Sequence, residues 1–270
     1  MAEGLHVEPV TVSVPGGQAL TVAVVPLAPV RLAWESHPGG PLAAVLTQAE
    51  LAVSGMHRVP ARRVAHLAGR VAAKSALLHQ LRAQGSRLTA LDLGITQVMA
   101  GPEQGRPVVQ LPPGTPGCDL SITHSQELAA AVTTREGRVG VDLEGVRPRG
   151  PGFQEEVFTA AEQDWLLHWQ RLHGREPEEL WSLGWCLKEA LVKLTGHGLR
   201  DSLQQVGFSG WTEEGGVPAV IPCITDAPGA YARRITLHPN RPEQGPVTGL
   251  LALGRGHALA VLHVPEASAT

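Results

Sequence analysis

The chain has 270 residues, of which 43% are hydrophobic and 17% are charged, and this balance excludes an intrinsically disordered protein. Its opening residues lack the basic and apolar regions of a secretory signal, and its most apolar stretch, residues 19–30, is too short to cross a bilayer. The three cysteines are odd in number and widely spaced, which suits neither a disulfide framework nor a paired-cysteine metal site. We therefore expect a cytoplasmic protein with reduced thiols and no membrane partner.

The net charge of −3 conceals a strongly basic segment. Residues 51–91 contain no Asp or Glu, and they hold seven basic residues: Arg58, Arg62, Arg63, Arg70, Lys74, Arg82 and Arg87. A basic patch in an acidic protein favours binding of a compact anion such as a phosphate group, whereas a nucleic-acid-binding protein is more often basic overall. We expect no nucleic-acid partner, and a solvated helix face is the alternative interpretation of the patch.

Lysine is rare in this chain. Of the 22 basic residues only three are lysines, Lys74, Lys188 and Lys193, and the others are arginines. A position that keeps lysine against this bias is one that needs a compact, rotatable ammonium rather than a planar guanidinium. The three lysines are therefore candidate functional positions.

In chain order, the first predicted element is a hairpin over residues 10–26, with a Pro-Gly-Gly turn between two β-branched strands. Residues 47–50 have the Thr and Glu spacing of a helix capping box. Residues 61–84 then predict a long helix that ends at Gly85. Three cations of that helix border its apolar face and can line a groove there: Arg63, Arg70 and Lys74.

Short strand candidates separated by turns follow over residues 95–143. After them a second capping box, at 159–162, opens a further helical region, and more strand candidates close the chain. This order lacks alternating βαβ units, so we expect an α+β fold of two similar lobes, 1–135 with the extra hairpin and 136–270. The two halves share no obvious sequence repeat.

Asp142 and Glu144 are the first candidate ligands. They lie in a predicted strand, where alternate residues share a face, so both carboxylates point the same way while Leu143 points into the core. Two carboxylates so placed can hold a hard cation, which prefers oxygen ligands. The alternative is an exposed strand face with two solvated acids.

A second group lies on a predicted helix. Glu189 and Lys193 are four residues apart and share one face with Trp181 and Trp185, whose rings can exclude water. An ordinary surface Glu–Lys pair is the alternative, although a solvated face rarely carries two tryptophans.

A third group, Ser-Ile-Thr-His-Ser at 121–125, ends a predicted strand. We interpret His124 as a phosphate or ribose contact, with a structural turn histidine as the alternative. A Ser–His nucleophile is disfavoured because adjacent strand residues face opposite ways and the chain has no nucleophile elbow. Arg106, in a Gly-Arg-Pro segment before another strand, adds one more cation.

Taken together and in order, these segments resemble the Sfp-type 4′-phosphopantetheinyl transferases. The matching segments are RVAHLAGRVAAKSAL (63–77), GRP (105–107), SITHS (121–125), GVDLEGVRP (140–148), FTAAE (158–162), WCLKEALVK (185–193) and GHGL (196–199). Their most specific feature is D-x-E followed some forty residues later by W-x-x-K-E-A-x-x-x-K.

The resemblance implies a monomer of two α+β lobes, each a helix packed on an antiparallel sheet, related by a pseudo-twofold axis. It implies that coenzyme A binds between the lobes. It also implies transfer of the phosphopantetheine arm to a serine of an apo acyl or peptidyl carrier protein, with release of 3′,5′-ADP. Acidic helices of such a carrier would suit the basic segment 51–91.

The resemblance also implies roles for single residues. It places Mg²⁺ on Asp142, Glu144 and Glu189, where the ion would bridge the pyrophosphate. Glu189 would take the serine proton, directly or through a water held by Glu144, and Lys193 with Lys188 would neutralise the pyrophosphate. Contacts to coenzyme A would come from five matching positions: Arg63, Arg70, Arg106, Thr123 and His124. Lys74 would contact phosphate or carrier.

The chain departs from the family pattern at a few positions. Thr123 stands where many relatives have serine, and the hydroxyl is kept. His197 replaces a common lysine, which makes an anion contact there sensitive to pH. Residues 1–40 match no motif of the family. One alternative is an idle homologue that binds coenzyme A or a carrier without transfer. Another is a different Mg²⁺-dependent phosphate enzyme such as a nucleotide hydrolase, although the chain has no P-loop.

Overall fold

The computed structural model describes residues 5, 7–36, 40–196, 203–215, 220–240 and 247–265, which form eleven strands and six α-helices. The strands are β1 (Val10–Ser13), β2 (Ala19–Pro26), β3 (Gly94–Gln97), β4 (Pro107–Gln110), β5 (Asp119–His124), β6 (Leu128–Thr134), β7 (Arg138–Gly145), β8 (Phe208–Glu214), β9 (Tyr231–Pro239), β10 (Val247–Gly254) and β11 (His257–Val264). The helices are α1 (Leu27–Ser36), α2 (Gln48–Gly55), α3 (Pro60–Arg82), α4 (Phe153–Val157), α5 (Ala160–His173) and α6 (Pro177–Thr195). The protein is α+β, as the sequence predicts.

Antiparallel pairing builds two main sheets. The first has four strands in the order β1-β2-β6-β5, and the second has five in the order β7-β11-β10-β9-β8. Strands β3 and β4 pair with each other as a separate ribbon. The first sheet uses residues before 135 and the second uses residues after it. The predicted lobe boundary thus falls between the sheets, and the division into domains itself stays a prediction.

Three apolar cores show how sheets and helices are layered. Helix α3 buries Leu67 with Ala131 of β6 in one core, and α6 buries Leu187 with Ala260 of β11 in another. The third core holds residues of both sheets, including the fully buried Leu143. The two sheets therefore pack on each other, and α3 and α6 cover their outer faces.

Both predicted capping boxes are confirmed. The N–H of Thr47 donates to Glu50 Oε2 at 2.8 Å, and the N–H of Thr159 donates to Glu162 Oε2 at 2.7 Å. In each box the threonine hydroxyl also accepts from the glutamate N–H at 3.3 Å. These bonds satisfy backbone donors that the first turn of a helix leaves free, and they fix where α2 and α5 begin.

Helix α1 was not predicted from the sequence. Pro29 lies in its first turn, where a proline removes no intrahelical hydrogen bond. Leu27 and Val30 are buried in the core under α3, and the N–H of Leu27 bonds the carbonyl of Glu127 at 2.8 Å. The segment that matches no family motif is therefore integral to the first sheet, since β2 also pairs with β6.

None of the helices formed by the described residues combines the length and the apolar character that a bilayer crossing requires.

Candidate functional site

The edge strands β5 and β7 of the two sheets meet, and polar side chains join them. Ser121 Oγ on β5 accepts a hydrogen bond from the N–H of Val141 at 3.1 Å. Thr123 Oγ1 on β5 donates to Asp142 Oδ1 at 2.8 Å. The hydroxyl of Thr123, predicted to contact coenzyme A, thus orients a candidate metal ligand.

Asp142 and Glu144 project from β7 toward α6, whereas Leu143 between them is buried between the sheets. Gly140 lies two residues earlier on the α6 side of β7, and a Cβ at this position would stand 2.1 Å from the carbonyl oxygen of Ala190. Only glycine permits that approach, because any side chain would push helix and strand apart. The predicted alternation is confirmed, and it brings both carboxylates beside the helix.

The face of α6 beside these carboxylates carries Trp185, Glu189 and Lys193. The Lys193 ammonium donates to Asp142 Oδ1 at 2.7 Å. The indole N–H of Trp185 donates to Glu144 Oε1 at 3.1 Å. Helix and strand are thus linked by direct hydrogen bonds on either side of Glu189.

Glu189 has a buried carboxylate oxygen, Oε1, that lacks a hydrogen-bond partner in the described part of the chain. Burial raises the pKa of Glu189 above that of an ordinary glutamate, the negative charges of Asp142 and Glu144 raise it further, and Lys193 opposes them. A carboxylate whose pKa is moved toward neutrality is suited to accept a proton from a hydroxyl.

In the part of the chain that the structure describes, two of the three carboxylates predicted to bind a divalent cation have a free oxygen for it. Asp142 Oδ2, like Glu189 Oε1, is buried without a hydrogen-bond partner among the described residues, and such oxygens are ligands that Mg²⁺ prefers. Glu144 differs, because Trp185 and Arg149 occupy its two oxygens, at 3.1 and 3.4 Å. Within the described ranges, no three Asp, Glu, His or Cys side chains are grouped so as to hold a metal ion. The predicted three-carboxylate site is not assembled here, and Asp142 and Glu189 are its fitting members.

Three neighbouring cavities of about 560, 310 and 260 Å³ form a cleft at this junction. His124 lines both the first and the second cavity, and Ile122 lines both the second and the third. The first reaches Glu144 and the third reaches Lys193. Glu144 and Lys193 therefore border neighbouring cavities of one cleft, whereas Asp142 and Glu189 line none of the three cavities themselves.

Two predicted phosphate contacts line this cleft. Arg70 is buried against the 310 Å³ cavity, and burial lowers its pKa while Glu50 opposes that shift. Burial also lowers the pKa of His124, Lys193 lowers it further, and Asp142 opposes both. His124 therefore stays neutral near pH 7 in this state and offers a hydrogen bond rather than a charge.

Arg106 lines the cleft, but its guanidinium already donates hydrogen bonds within the protein. Its guanidinium donates to Asp119 Oδ2 at 2.6 Å and to the carbonyl of Lys193 at 3.1 Å. The same oxygen of Asp119 also accepts a hydrogen bond from the N–H of Val139 at 2.8 Å, which joins β5 to β7. Arg106 thus ties the first sheet to the C-terminal end of α6.

Lys74 and Lys188, both predicted to contact coenzyme A, lie in enclosed surroundings. Both ammonium groups are fully buried, and each is paired with a buried carboxylate, that of Glu50 at 2.6 Å and that of Glu162 at 2.9 Å. Each also donates to two backbone carbonyls, so that all three of its donors are used. In this arrangement neither ammonium keeps a free donor for a phosphate.

Arg63 also lies away from the three cavities. Its guanidinium donates to the carbonyl of His57 at 2.8 Å and stands 5.7 Å from the ring centre of Trp34. These contacts hold the start of α3 against α1 rather than exposing a phosphate ligand. His197, the other departure from the family pattern, lies outside the described residues.

Sequence reasoning missed His57 and His66, whose rings lie 5.0 Å apart beside Arg70 in the 310 Å³ cavity. The spacing of His66 and Arg70 on α3 was the available signal, since residues four apart share a helix face.

His66 should make the protein less stable in mild acid. Burial lowers its pKa to about 4, with help from Arg70, His57 and His124. An unfolded histidine binds its proton near pH 6.5, so the unfolded state takes up more protons between these values, and the native state loses about 2 kcal/mol from pH 7 to pH 5. Urea unfolding at both pH values should show this loss. The loss should be smaller in His66→Gln, which can still bond Ser54, and an equal loss would exclude His66 as the cause.

Comparison with known proteins bears on the second half of the chain. Residues 138–243 match a family model described as the 4′-phosphopantetheinyl transferase superfamily. This range includes β7 and α6, which carry Asp142, Glu144, Glu189 and Lys193. No curated protein matches the chain. The family match supports the resemblance seen in the sequence, and residues 138–243 are similar to the 4′-phosphopantetheinyl transferase superfamily.

Proposed function

We propose that the protein transfers the 4′-phosphopantetheine group of coenzyme A to a serine hydroxyl of an apo acyl or peptidyl carrier protein. The superfamily match supports a transferase. The observation that carries the proposal is Glu189, a buried carboxylate with an unpartnered oxygen and a raised pKa, next to Asp142 and the Lys193 ammonium. A base beside a cation suits attack of a hydroxyl on phosphorus.

In the proposed reaction the serine oxygen bonds to the phosphorus nearer the pantetheine. The bond from that phosphorus to the oxygen of the 3′,5′-ADP leaving group breaks. Glu189 takes the serine proton, directly or through a water beside Glu144, and Lys193 supplies positive charge to the departing phosphate. Asp142 and Glu189 would hold Mg²⁺, which would neutralise charge on the pyrophosphate when bound. Glu144 would be a third ligand if its carboxylate released Arg149. Catalysis then depends mainly on positioning and charge stabilisation.

Two of the three cavities suit the two substrates. The 310 Å³ cavity, lined by Arg70 with three histidines, suits the nucleotide phosphates of coenzyme A. The 560 Å³ cavity lies on the other side of His124, and three exposed arginines line it without an ion-pair partner in the described ranges: Arg31, Arg62 and Arg147. Their charge suits an acidic carrier surface whose serine reaches the carboxylates.

Reversing the charge of this rim should weaken carrier recognition. Arg31 and Arg147 line only the 560 Å³ cavity, whereas Arg62 also borders the 310 Å³ cavity. We expect Arg31→Glu/Arg147→Glu to raise KM for the carrier about tenfold, because each rim charge contributes modestly, and to change KM for coenzyme A little. The matched control is Arg87→Glu/Arg171→Glu, which makes the same charge change at exposed positions outside the cleft. An equal effect of both double variants on carrier KM would contradict this assignment.

We further propose that residues 1–135 and 136–270 are two lobes related by a pseudo-twofold axis, acting as a cytoplasmic monomer. The packing of α3 on the first sheet and of α6 on the second supports this relation, as do the two capping boxes.

The test of the proposed function is direct. The purified protein is incubated with Mg²⁺, coenzyme A and a panel of apo carrier proteins, with EDTA in a parallel series, and the carriers are weighed by mass spectrometry. A metal-dependent gain of one phosphopantetheine is expected, and the responsive carriers identify the pathway. No gain on any carrier, with coenzyme A still bound, would indicate the idle homologue instead.

A further inference from the structure

The two halves of the chain contain the same buried arrangement around a lysine. Each ammonium donates to one carboxylate oxygen and two backbone carbonyl oxygens. For Lys74 the acceptors are Glu50 Oε2 at 2.6 Å, Val45 O at 3.1 Å and Ala90 O at 2.9 Å. For Lys188 they are Glu162 Oε2 at 2.9 Å, Val157 O at 2.8 Å and Leu203 O at 2.8 Å. We call these sets the N-terminal clasp and the C-terminal clasp.

The two clasps correspond element by element. In each, the glutamate is the third residue of its helix and completes a capping box, and one carbonyl acceptor lies two residues before the capping threonine. The first carbonyl lies 29 and 31 residues before the lysine, and the second lies 16 and 15 residues after it. Because the spacing is shared, the effects of substitutions in the C-terminal clasp can be compared with those of the same substitutions in the N-terminal clasp.

A clasp of this kind fixes its helix firmly. Both lysine side chains are 0% exposed, and their glutamates are 5% and 0% exposed. Buried charges are tolerated only when paired and hydrogen-bonded, and here the ammonium has no spare donor. In the C-terminal clasp Glu162 Oε1 also accepts from the N–H of Phe208 at 3.1 Å. The clasp therefore links α6 to α5, to β8 and to the end of α4.

Glu189 depends on this anchoring more than its neighbours do. It follows Lys188 directly on α6, and no hydrogen bond from the described residues reaches its buried Oε1. Lys193 and Trp185, by contrast, are each held by a direct bond to β7. The position of the Glu189 carboxylate is thus determined by the backbone of α6, at the turn that Lys188 anchors.

We infer that the C-terminal clasp of Lys188 and Glu162 positions Glu189 for proton abstraction, while the N-terminal clasp of Lys74 and Glu50 only stabilises the fold. This inference rests on the proposed function. Lys188 is a positioning residue, since all three donors of its ammonium are used within the clasp. The two clasps have the same chemistry and burial, so substitutions in one control for substitutions in the other.

The test compares Lys188→Met with Lys74→Met. Both changes leave a carboxylate buried without its partner, so both should lower the melting temperature, by about 10 °C. At a temperature where both remain folded by circular dichroism, we expect Lys188→Met to lower kcat about 10²-fold. KM for coenzyme A should stay within about threefold, and Lys74→Met should keep kcat within about threefold. A wild-type kcat for Lys188→Met, or equal losses in both variants, would overturn the inference.

A second variant and a second readout keep the test decisive. If Lys188→Met does not fold, Lys188→Met/Glu162→Gln removes both buried charges, with Lys74→Met/Glu50→Gln as its control. Hydrogen exchange followed by mass spectrometry should show faster exchange over residues 185–193 in the Lys188 variants and not in the Lys74 variants. If hydrogen exchange over residues 185–193 were unchanged in the Lys188 variants, the clasp would not position Glu189, and this outcome can be measured even if no carrier is modified. If the wild type transfers no phosphopantetheine while the variants show the expected hydrogen-exchange pattern, the proposed function is contradicted and the role of the clasp is not.

Discussion

Glu189→Gln should lose most transfer activity while keeping the fold. The amide has nearly the volume of the carboxylate, so the packing between α6 and β7 is kept, but it cannot accept the serine proton. Loss of a general base lowers kcat by about 10²- to 10⁴-fold. Transfer measured at saturating coenzyme A, Mg²⁺ and carrier would show this loss.

Stability should respond to Glu189→Gln in the opposite direction. The pKa of Glu189 is raised by burial and by two neighbouring acids, which means that folding disfavours its ionised form. A neutral amide removes that penalty, so the melting temperature should stay equal or rise. The control is Glu156→Gln on α4, whose carboxylate is exposed and lies outside the cleft. If Glu189→Gln turned over at the wild-type rate, Glu189 would not be the base. A large fall in its melting temperature would contradict the unfavourable effect of the Glu189 charge on stability.

Asp142→Asn should produce the second largest loss. Asp142 is 4% exposed and receives hydrogen bonds from Thr123 and Lys193 on one oxygen, while its other oxygen is free within the described ranges. An asparagine can keep both donors on its carbonyl oxygen, but it presents an amide NH₂ group where the free carboxylate oxygen stood. A cation is repelled there, so we expect kcat to fall about 10²- to 10³-fold and the Mg²⁺ requirement to rise.

The structural cost of Asp142→Asn should be small by comparison. The Lys193 side chain is 29% exposed, so its ion pair with Asp142 is partly screened and contributes about 1 kcal/mol. Urea unfolding would measure that difference, and transfer assayed over a range of Mg²⁺ concentrations would measure the catalytic one. Asp164→Asn, at an exposed position of α5, is the matched control. An unchanged Mg²⁺ dependence in Asp142→Asn would exclude Asp142 as a metal ligand.

Local patterns in the sequence were sufficient for most elements. Helical spacing predicted α3 and α6, the Thr and Glu spacing predicted where α2 and α5 begin, and alternation predicted which residues of β7 face the core. Each of these patterns involves residues close in sequence, so their contacts follow from backbone geometry alone. Helix α1 was the exception, since no local pattern predicted it and its Leu27 and Val30 are buried in the core under α3.

The three lysines show what local patterns leave open. All three were singled out by their rarity, and each does make short bonds to a carboxylate and to backbone carbonyls that a compact ammonium satisfies. Lys188 and Lys193 lie five positions apart, which turns them roughly 140° from each other around α6. That spacing alone indicates different surroundings, although it does not say which lysine is buried.

The sequence by itself determined most of the elements, the carboxylate face of β7 and the Glu189–Lys193 face of α6. Only the tertiary structure decided that β5 meets β7, that Thr123 bonds Asp142, and that Lys188 is enclosed with a glutamate from another helix. The physical reason is that burial and pairing are properties of distant segments brought together. A side chain on a helix is a ligand contact or a core anchor according to what packs against it, and neighbouring residues in the chain do not specify that partner.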